Sequence, residues 1–326
     1  MEKEKLLDIE NLSVCYDNSE GTVYAVNDVS FTLNKGETLG LVGETGAGKT
    51  TIAKAILRIL NPVTGRVSGG KIIYSGRNLL ELEQKEMQKV RGNDITMIFQ
   101  DPMTALNPVK TVGKQIAEVV ALHNGHNKKD AEKRANEMLE MVGIPAERYN
   151  EYPHQFSGGM KQRVVIAIAL ACRPGLLLAD EPTTALDVTI QAQVLDMMKE
   201  LISRQNTAMI LITHDLGVVA GNCDNVAIVY AGHIMEIGTK EDIFLHPAHP
   251  YTIGLFGAIP SITGDVDRLI PIEGMPADPA NLPQGCAFWP RCPYAEEGCR
   301  QGAVPVKEIS PGHQCKCLKA GSIGGE

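Results

Sequence analysis

Gly43-Glu44-Thr45-Gly46-Ala47-Gly48-Lys49-Thr50 fills the pattern G-x-x-x-x-G-K-[ST] without a mismatch, and a loop of this kind demands a strand before it and a helix after it. Glu37 to Val42 reads as a short buried strand. Thr50 to Leu60 places Ile52, Ala53, Ile56, Leu57 and Leu60 at helical spacing. In that setting the loop's backbone N–H groups and the positive end of the helix both face an anion. Lys49 is then placed to neutralise the β- and γ-phosphates of a nucleoside triphosphate, and the Thr50 hydroxyl to ligate Mg²⁺. A glycine-rich turn with a chance lysine is the plainer alternative; the full match and the flanking elements argue against it.

Leu176-Leu177-Leu178-Ala179 followed by Asp180-Glu181 reads as a second buried strand. Its carboxylates emerge at the C-terminal end, where open α/β sheets bind ligands. Asp180 is placed to hold Mg²⁺ through water. Glu181 is the stronger catalytic candidate, because hydrolysis needs a carboxylate that orients and polarises the attacking water. Acids at strand ends are common, so the pair gains its weight from standing beside a phosphate loop. A third segment, Phe156-Ser157-Gly158-Gly159-Met160, offers a serine hydroxyl and unobstructed glycine N–H groups at the start of a helix, which is chemistry suited to a phosphate.

Ser157-Gly158-Gly159 followed by Lys161-Gln162-Arg163 resembles the signature motif of ABC-type ATPases, with Phe156 and Met160 where leucine and glutamine are common. The resemblance implies an α/β fold: a P-loop ATPase domain with a mixed-sheet core, an antiparallel β subdomain, a helical subdomain at about 105–165 and a small loop-rich C-terminal extension. It also implies that the signature acts in trans, on ATP held by a second ATPase subunit. The ATP-binding set becomes Tyr16 against adenine, then Gly43, Glu44, Thr45, Gly46, Ala47, Gly48, Lys49, Thr50 and Thr51, with Asp180. Glu181, His214 and Gln100 fall at the catalytic positions. Thr50, Gln100 and Asp180 fall around Mg²⁺, and Asp187, in Ala185-Leu186-Asp187, falls at the loop that crosses between subunits. Each has a duller reading, as a tyrosine in a strand, a glutamine in a turn or a satisfied histidine.

Between Lys110 and Asn150 the pattern turns helical, and charged Asn127 to Arg134 reads as a solvated face. Gly65 to Gly76 reads as a hairpin, and Gln191 to Ile202 as an amphipathic core helix. The 326 residues, 44% of them hydrophobic, are ample for a core, and a net charge of −8 argues against a general nucleic-acid binder. The longest apolar run, Val164 to Ala171, is about half of what a spanning helix requires. The charged N-terminus, Met1-Glu2-Lys3-Glu4-Lys5, lacks the apolar stretch of a secretion signal. The expectation is a peripheral protein on the cytoplasmic face of the membrane.

After roughly Lys240 prolines crowd in and long periodic segments fade, which divides the chain into 1–245 and 246–326. Five of the eight cysteines lie in this tail: Cys286, Cys292, Cys299, Cys315 and Cys317. Without an export signal, clustered cysteines suggest metal ligation more than disulfides. Zinc, an iron–sulfur cluster and packed reduced thiols all remain open on spacing alone.

His246-Pro247-Ala248-His249-Pro250-Tyr251-Thr252 and Cys286-Ala287-Phe288-Trp289-Pro290-Arg291-Cys292-Pro293 are similar to the C-terminal region of peptide and nickel importer ATPases. Met97 to Pro108 and Asp180 to Thr189 point the same way. The resemblance implies a [4Fe–4S] cluster on Cys286, Cys292, Cys299 and Cys317, the last fitting better than Cys315. It further implies ATP-driven uptake of di- or oligopeptides by a heterodimer of ATPases on two transmembrane permease subunits, fed by an extracellular solute-binding protein. Nickel or another metal chelate is the alternative cargo. A soluble ABC ATPase acting on nucleic acid or ribosomes is the alternative class, although neither a long coiled-coil insertion nor a second phosphate loop is present.

Overall fold

Uninterrupted apolar runs become the most buried strands, and polar alternation produces the half-exposed ones. The computed structural model describes residues 4–19, 21–124, 127–184, 186–258 and 271–322. The chain begins with β1 (Lys5–Asn18), β2 (Gly21–Asn34), β3 (Thr38–Val42), α1 (Lys49–Ile56), β4 (Gly65–Tyr74) and β5 (Arg77–Asn78). It continues through α2 (Gln84–Val90), β6 (Ile95–Ile98), α3 (Pro102–Ala105), α4 (Val112–Asn124), α5 (Lys128–Met141) and α6 (Gly158–Leu170). Then come β7 (Leu176–Asp180), α7 (Val188–Gln205), β8 (Ala208–Thr213), α8 (Leu216–Asn222), β9 (Asn225–Tyr230) and β10 (His233–Thr239). The last elements are α9 (Lys240–Leu245), α10 (Pro250–Gly257), β11 (Lys307–Ser310) and β12 (His313–Cys315). They form two compact units interleaved in sequence.

The first unit takes Met1–Asp8, Thr32–Thr38 and Ile73–Ile212. Its sheet is parallel, with β6 beside β7 and β7 beside β8 in a register that sets Asp180 opposite Ile212. Every residue of β7 and β8 is buried, as expected of parallel strands covered on both faces. Helices α4 and α5 pack on each other in the stretch whose periodicity is helical. The charged start of α5 is exposed from Lys128 to Asp130. Arg134 folds inward and donates to the Ala171 carbonyl at 3.0 Å. Asn127 caps α5 by accepting from the Asp130 N–H at 3.0 Å.

The second unit takes Ile9–Phe31, Leu39–Ile72 and Thr213–Glu326. Strand β3 runs parallel to β9, with Val42 opposite Ile228. Strand β10 returns antiparallel to β9, β12 pairs antiparallel with β10, and β11 with β12. Glu236 on β10 is fully buried, a position that a carboxylate tolerates only with donors. It accepts from the Ala248 N–H at 2.8 Å, the His249 N–H at 2.9 Å, the Thr252 hydroxyl at 2.5 Å and His313 Nε2 at 2.8 Å. Tyr230, Tyr251 and Phe288 form a buried aromatic cluster with ring centroids 4.7 to 5.3 Å apart.

Three local readings differ from the structure. Helix α1 stops at Ile56 instead of Leu60, because Arg58 takes a left-handed φ of 51° and Pro62 follows closely. Gly65 to Tyr74 is one strand, and the hairpin lies at Ser75-Gly76, whose φ values of 47° and 78° suit a two-residue turn into β5. Beyond Lys240 two short helices persist. Pro250 opens α10 as an N-terminal residue, where its missing N–H costs nothing. Pro260 and Ala185 lie outside the described residues.

Candidate functional site

In the second unit β3 delivers the chain into Gly43–Lys49 and α1 leads away from it. Gly48 sits at φ 100° directly before α1, and a β-carbon there would lie 2.2 Å from the Ala25 carbonyl. At Gly43 a β-carbon would lie 2.0 Å from the Val229 carbonyl. These positions therefore need glycine for backbone approach as well as for conformation. No side chain caps α1. The loop is braced by the Ala47 N–H to the Glu44 carbonyl at 3.2 Å and the Gly232 N–H to the Ala47 carbonyl at 2.9 Å. Lys49 is buried, and its Nζ donates to the Gly43 and Glu44 carbonyls at 2.7 and 2.9 Å. Thr45 and Gly46 are exposed, and Thr50 and Thr51 are half-buried.

Tyr16, on β1, is half-buried; its hydroxyl lies 3.4 Å from Thr51 Oγ1. A β-carbon on Gly65 would meet the Tyr16 ring at 2.8 Å, so that residue must stay small. His214 is exposed immediately after β8, and Asp215 beside it caps α8 by accepting from the Gly217 and Val218 N–H groups at 2.8 and 3.1 Å.

In the first unit Asp180 is buried at the end of β7. Glu181 then takes a left-handed φ of 46°, an uncommon conformation for a residue with a β-carbon. The turn is held because its N–H donates to the Ile212 carbonyl at 2.8 Å. Gln100 Nε2 and the Thr184 hydroxyl both donate to Glu181 Oε2 at 2.9 Å. The fold thus brings Gln100 and Glu181 together across 81 residues. Thr184 is a partner that the sequence reading passed over, although it lies within the quoted Asp180–Thr189 run.

Ser157 caps α6 by accepting from the Met160 N–H at 3.4 Å, and Asp187 caps α7 by accepting from the Ile190 N–H at 3.0 Å. Gly158 and Gly159 open α6. A β-carbon on Gly159 would come within 2.6 Å of Ile190, so this glycine also allows α6 and α7 to approach. Gln162 donates to the Pro182 carbonyl and ties α6 to the turn after Glu181. The Arg148 guanidinium stacks over Phe156 at 4.2 Å.

The tail corrects one expectation. Cys286, Cys292, Cys299 and Cys317 line a small cavity with His249, Trp289 and Tyr294. Lining a cavity is not converging on one point: among the described residues no group of three or more His, Cys, Asp or Glu is arranged to hold a metal ion. The [4Fe–4S] assignment to these four cysteines therefore falls. Burial pushes the Cys286 thiol up to about 11 and raises Cys292, Cys317 and Cys315 as well. A ligand to iron or zinc is a thiolate, whereas these surroundings favour the protonated, apolar form.

The tail also supplies partners to the phosphate loop. The Glu44 N–H donates to the Tyr251 hydroxyl at 3.1 Å, and Arg291 Nη1 donates to Glu44 Oε2 at 2.9 Å. Burial works against the Arg291 charge, but Glu44 and Tyr230 more than offset it and hold the guanidinium above its ordinary value. Both residues stand in the quoted tail motifs, yet nothing in local spacing points them at a loop more than 200 positions away.

Residues 26–184 match the family described as ABC transporter. An ATP-binding cassette, MJ0796, solved as a dimer bound to ADP and Pi, superposes with a TM-score of 0.64 at 26% identity, covering 72% of this chain and 99% of that one. Fold and site define the class: an ABC-type ATPase. Residues 235–299 match the family described as oligopeptide/dipeptide transporter, C-terminal region. The dipeptide transport ATP-binding protein DppD of Lactococcus lactis subsp. cremoris is 52% identical over 319 residues, 97% of this chain and 91% of its own. The oligopeptide transport ATP-binding protein OppD of Haemophilus influenzae is 52% identical over 297 residues, 90% and 91% of the two chains. The chain belongs to the ABC transporter family, in its branch of dipeptide and oligopeptide transport ATP-binding proteins.

Proposed function

We propose that this chain is the ATP-hydrolysing motor subunit of an importer for di- or oligopeptides. The carrying observation is similarity along nearly the whole chain to peptide-transport ATP-binding proteins, laid over a phosphate loop with every motif position intact. That similarity favours peptides over nickel as cargo and transport over work on nucleic acid or ribosomes. No helix among the described residues is long and apolar enough to cross a membrane. Membrane attachment then runs through permease subunits, on the cytoplasmic face. Phe99 is 46% exposed beside Gln100, which supports a docking role for that edge.

The residues fit a nucleotide and its metal. Gly43 and Gly48 let the loop close against the Val229 and Ala25 carbonyls, while Gly46 faces open space, which leaves bare backbone of the kind a polyphosphate requires. Lys49 is the loop's cation, Thr51 belongs with the loop to the ATP-binding set, and Tyr16 is assigned to adenine. A hydroxyl, an amide and a carboxylate, from Thr50, Gln100 and Asp180, are the hard oxygen donors that Mg²⁺ prefers. When bound, Mg²⁺ supplies charge neutralisation for the phosphate oxygens. Glu181 orients the attacking water, with its carboxylate held by Gln100 and Thr184, and His214 donates toward the terminal phosphate. Ser157, Gly158 and Gly159 act on the nucleotide of a second ATPase subunit, and Asp187 lies at the interface between subunits. We assign residues 1–245 to the cassette and 246–326 to an importer-type extension. The full assembly, on this reading, is a heterodimer of motors on two permeases, served by a solute-binding protein.

Uptake of a labelled dipeptide into vesicles carrying the co-purified membrane subunits, with and without ATP, tests this reading. Uptake that depends on ATP is expected. A chain that purifies with ribosomes or nucleic acid and never with membrane subunits overturns it.

A further inference from the structure

Glu44 brings a carboxylate into a loop that receives a triphosphate, and an unpaired negative charge there opposes binding. The fold turns that charge away from the loop and toward the tail. Arg291, whose side chain is only 5% exposed, holds Glu44 Oε2 at 2.9 Å. Its Nε and Nη2 donate to the Glu273 and Ile272 carbonyls at 3.1 and 3.2 Å. The guanidinium thus has a fixed seat, and Glu44 is drawn to it. At the backbone, the Glu44 N–H is anchored on the Tyr251 hydroxyl at 3.1 Å. Tyr251 is itself fully buried against Tyr230 and Phe288. The same tail segment is pinned by the Ala277 N–H to the Tyr230 hydroxyl at 3.0 Å, and by the Tyr24 N–H to the Pro279 carbonyl at 2.9 Å. One residue of the phosphate loop is therefore gripped at main chain and side chain by an extension lying far along the sequence.

We propose that Arg291 and Tyr251 are positioning residues of the nucleotide site, through which the C-terminal segment sets the charge and conformation of the phosphate loop at Glu44. Nucleotide affinity and the ordering of residues 271–292 are then linked, and the linkage is reciprocal: what strengthens one strengthens the other. The inference rests on the reading of Gly43–Thr50 as an ATP site. Arg291 carries the larger share, because its loss leaves a carboxylate unpaired beside incoming phosphates. Tyr251 supplies a neutral acceptor whose loss removes one hydrogen bond.

The test is equilibrium binding of MgATP to the full chain, with hydrogen exchange at residues 271–292 followed in the same samples. Arg291→Ala weakens binding by about tenfold, the scale of a close charge coupling, and raises KM more than it lowers kcat. Arg291→Lys keeps most of the affinity, and Tyr251→Phe weakens binding by about threefold. Adding Glu44→Gln to Arg291→Ala restores most of the lost affinity, an effect that a merely structural arginine does not produce. Glu44→Gln loses the slowing of exchange at residues 271–292 that MgATP causes in the parent chain. Unchanged affinity in Arg291→Ala overturns the proposal, as does a double variant no better than Arg291→Ala. A parent chain that fails to bind MgATP overturns the ATP reading itself, so the two failures are told apart.

Discussion

In the phosphate loop the backbone does the positioning: glycines at Gly43 and Gly48 let carbonyls approach to distances no β-carbon allows, and Lys49 folds onto the loop's own carbonyls. Around Glu181 side chains do it: a strained turn aims one carboxylate, and Gln100 and Thr184 hold it by two hydrogen bonds. On the proposed reading, the backbone cradle recognises an anion whatever happens next, whereas the steered carboxylate contributes only when water attacks. Binding and turnover should therefore be separable by mutation.

Glu181→Gln is the sharpest break. It keeps the size and the side-chain contacts but removes the base, so phosphate release falls by about a thousandfold while equilibrium binding of MgATP persists. Residual hydrolysis above about a tenth of the parent rate removes Glu181 from this role. Lys49→Ala does the reverse and weakens MgATP binding by about a hundredfold, the scale of charged hydrogen bonds lost at a phosphate, with folding retained. Gly48→Ala tests whether the cradle is truly backbone-limited. The close approach to the Ala25 carbonyl and the left-handed φ predict a loss of about 2 kcal/mol in a urea melt, together with weaker binding. Thr184→Val is the smallest change. One of two donors to Glu181 is lost, which slows turnover by several-fold, about 1 kcal/mol, and leaves nucleotide affinity as it was.

Motifs whose residues serve a stated backbone need were readable from the sequence. Gly43–Thr50 lies between a strand and a helix as its spacing requires, and the all-apolar stretch Leu176–Ala179 is a buried parallel strand. Residue type without geometry read less well. Five tail cysteines suggested metal, but thiolate chemistry depends on what surrounds each sulfur, and burial here favours neutral thiols. Prolines hid the short tail helices, since a proline opening a helix and one breaking it look alike in sequence. The Arg291–Glu44 and Tyr251–Glu44 contacts were illegible for a simpler reason: they join positions 247 and 207 residues apart, and no periodicity encodes such a meeting.

The pairing of β12 with β10 has a practical consequence for anyone who shortens this protein. A chain ending just after β10 would leave β10 as a bare strand edge, open to pairing with other molecules and to precipitation. It would also strip Glu236 of the Ala248, His249, Thr252 and His313 groups that make its burial tolerable. With the tail in place this edge is covered by β12 and then by β11, a short four-residue strand in which Lys307 and Glu308 are exposed. The segment that carries the tail cysteines thus covers an edge of the sheet that leads into the phosphate loop.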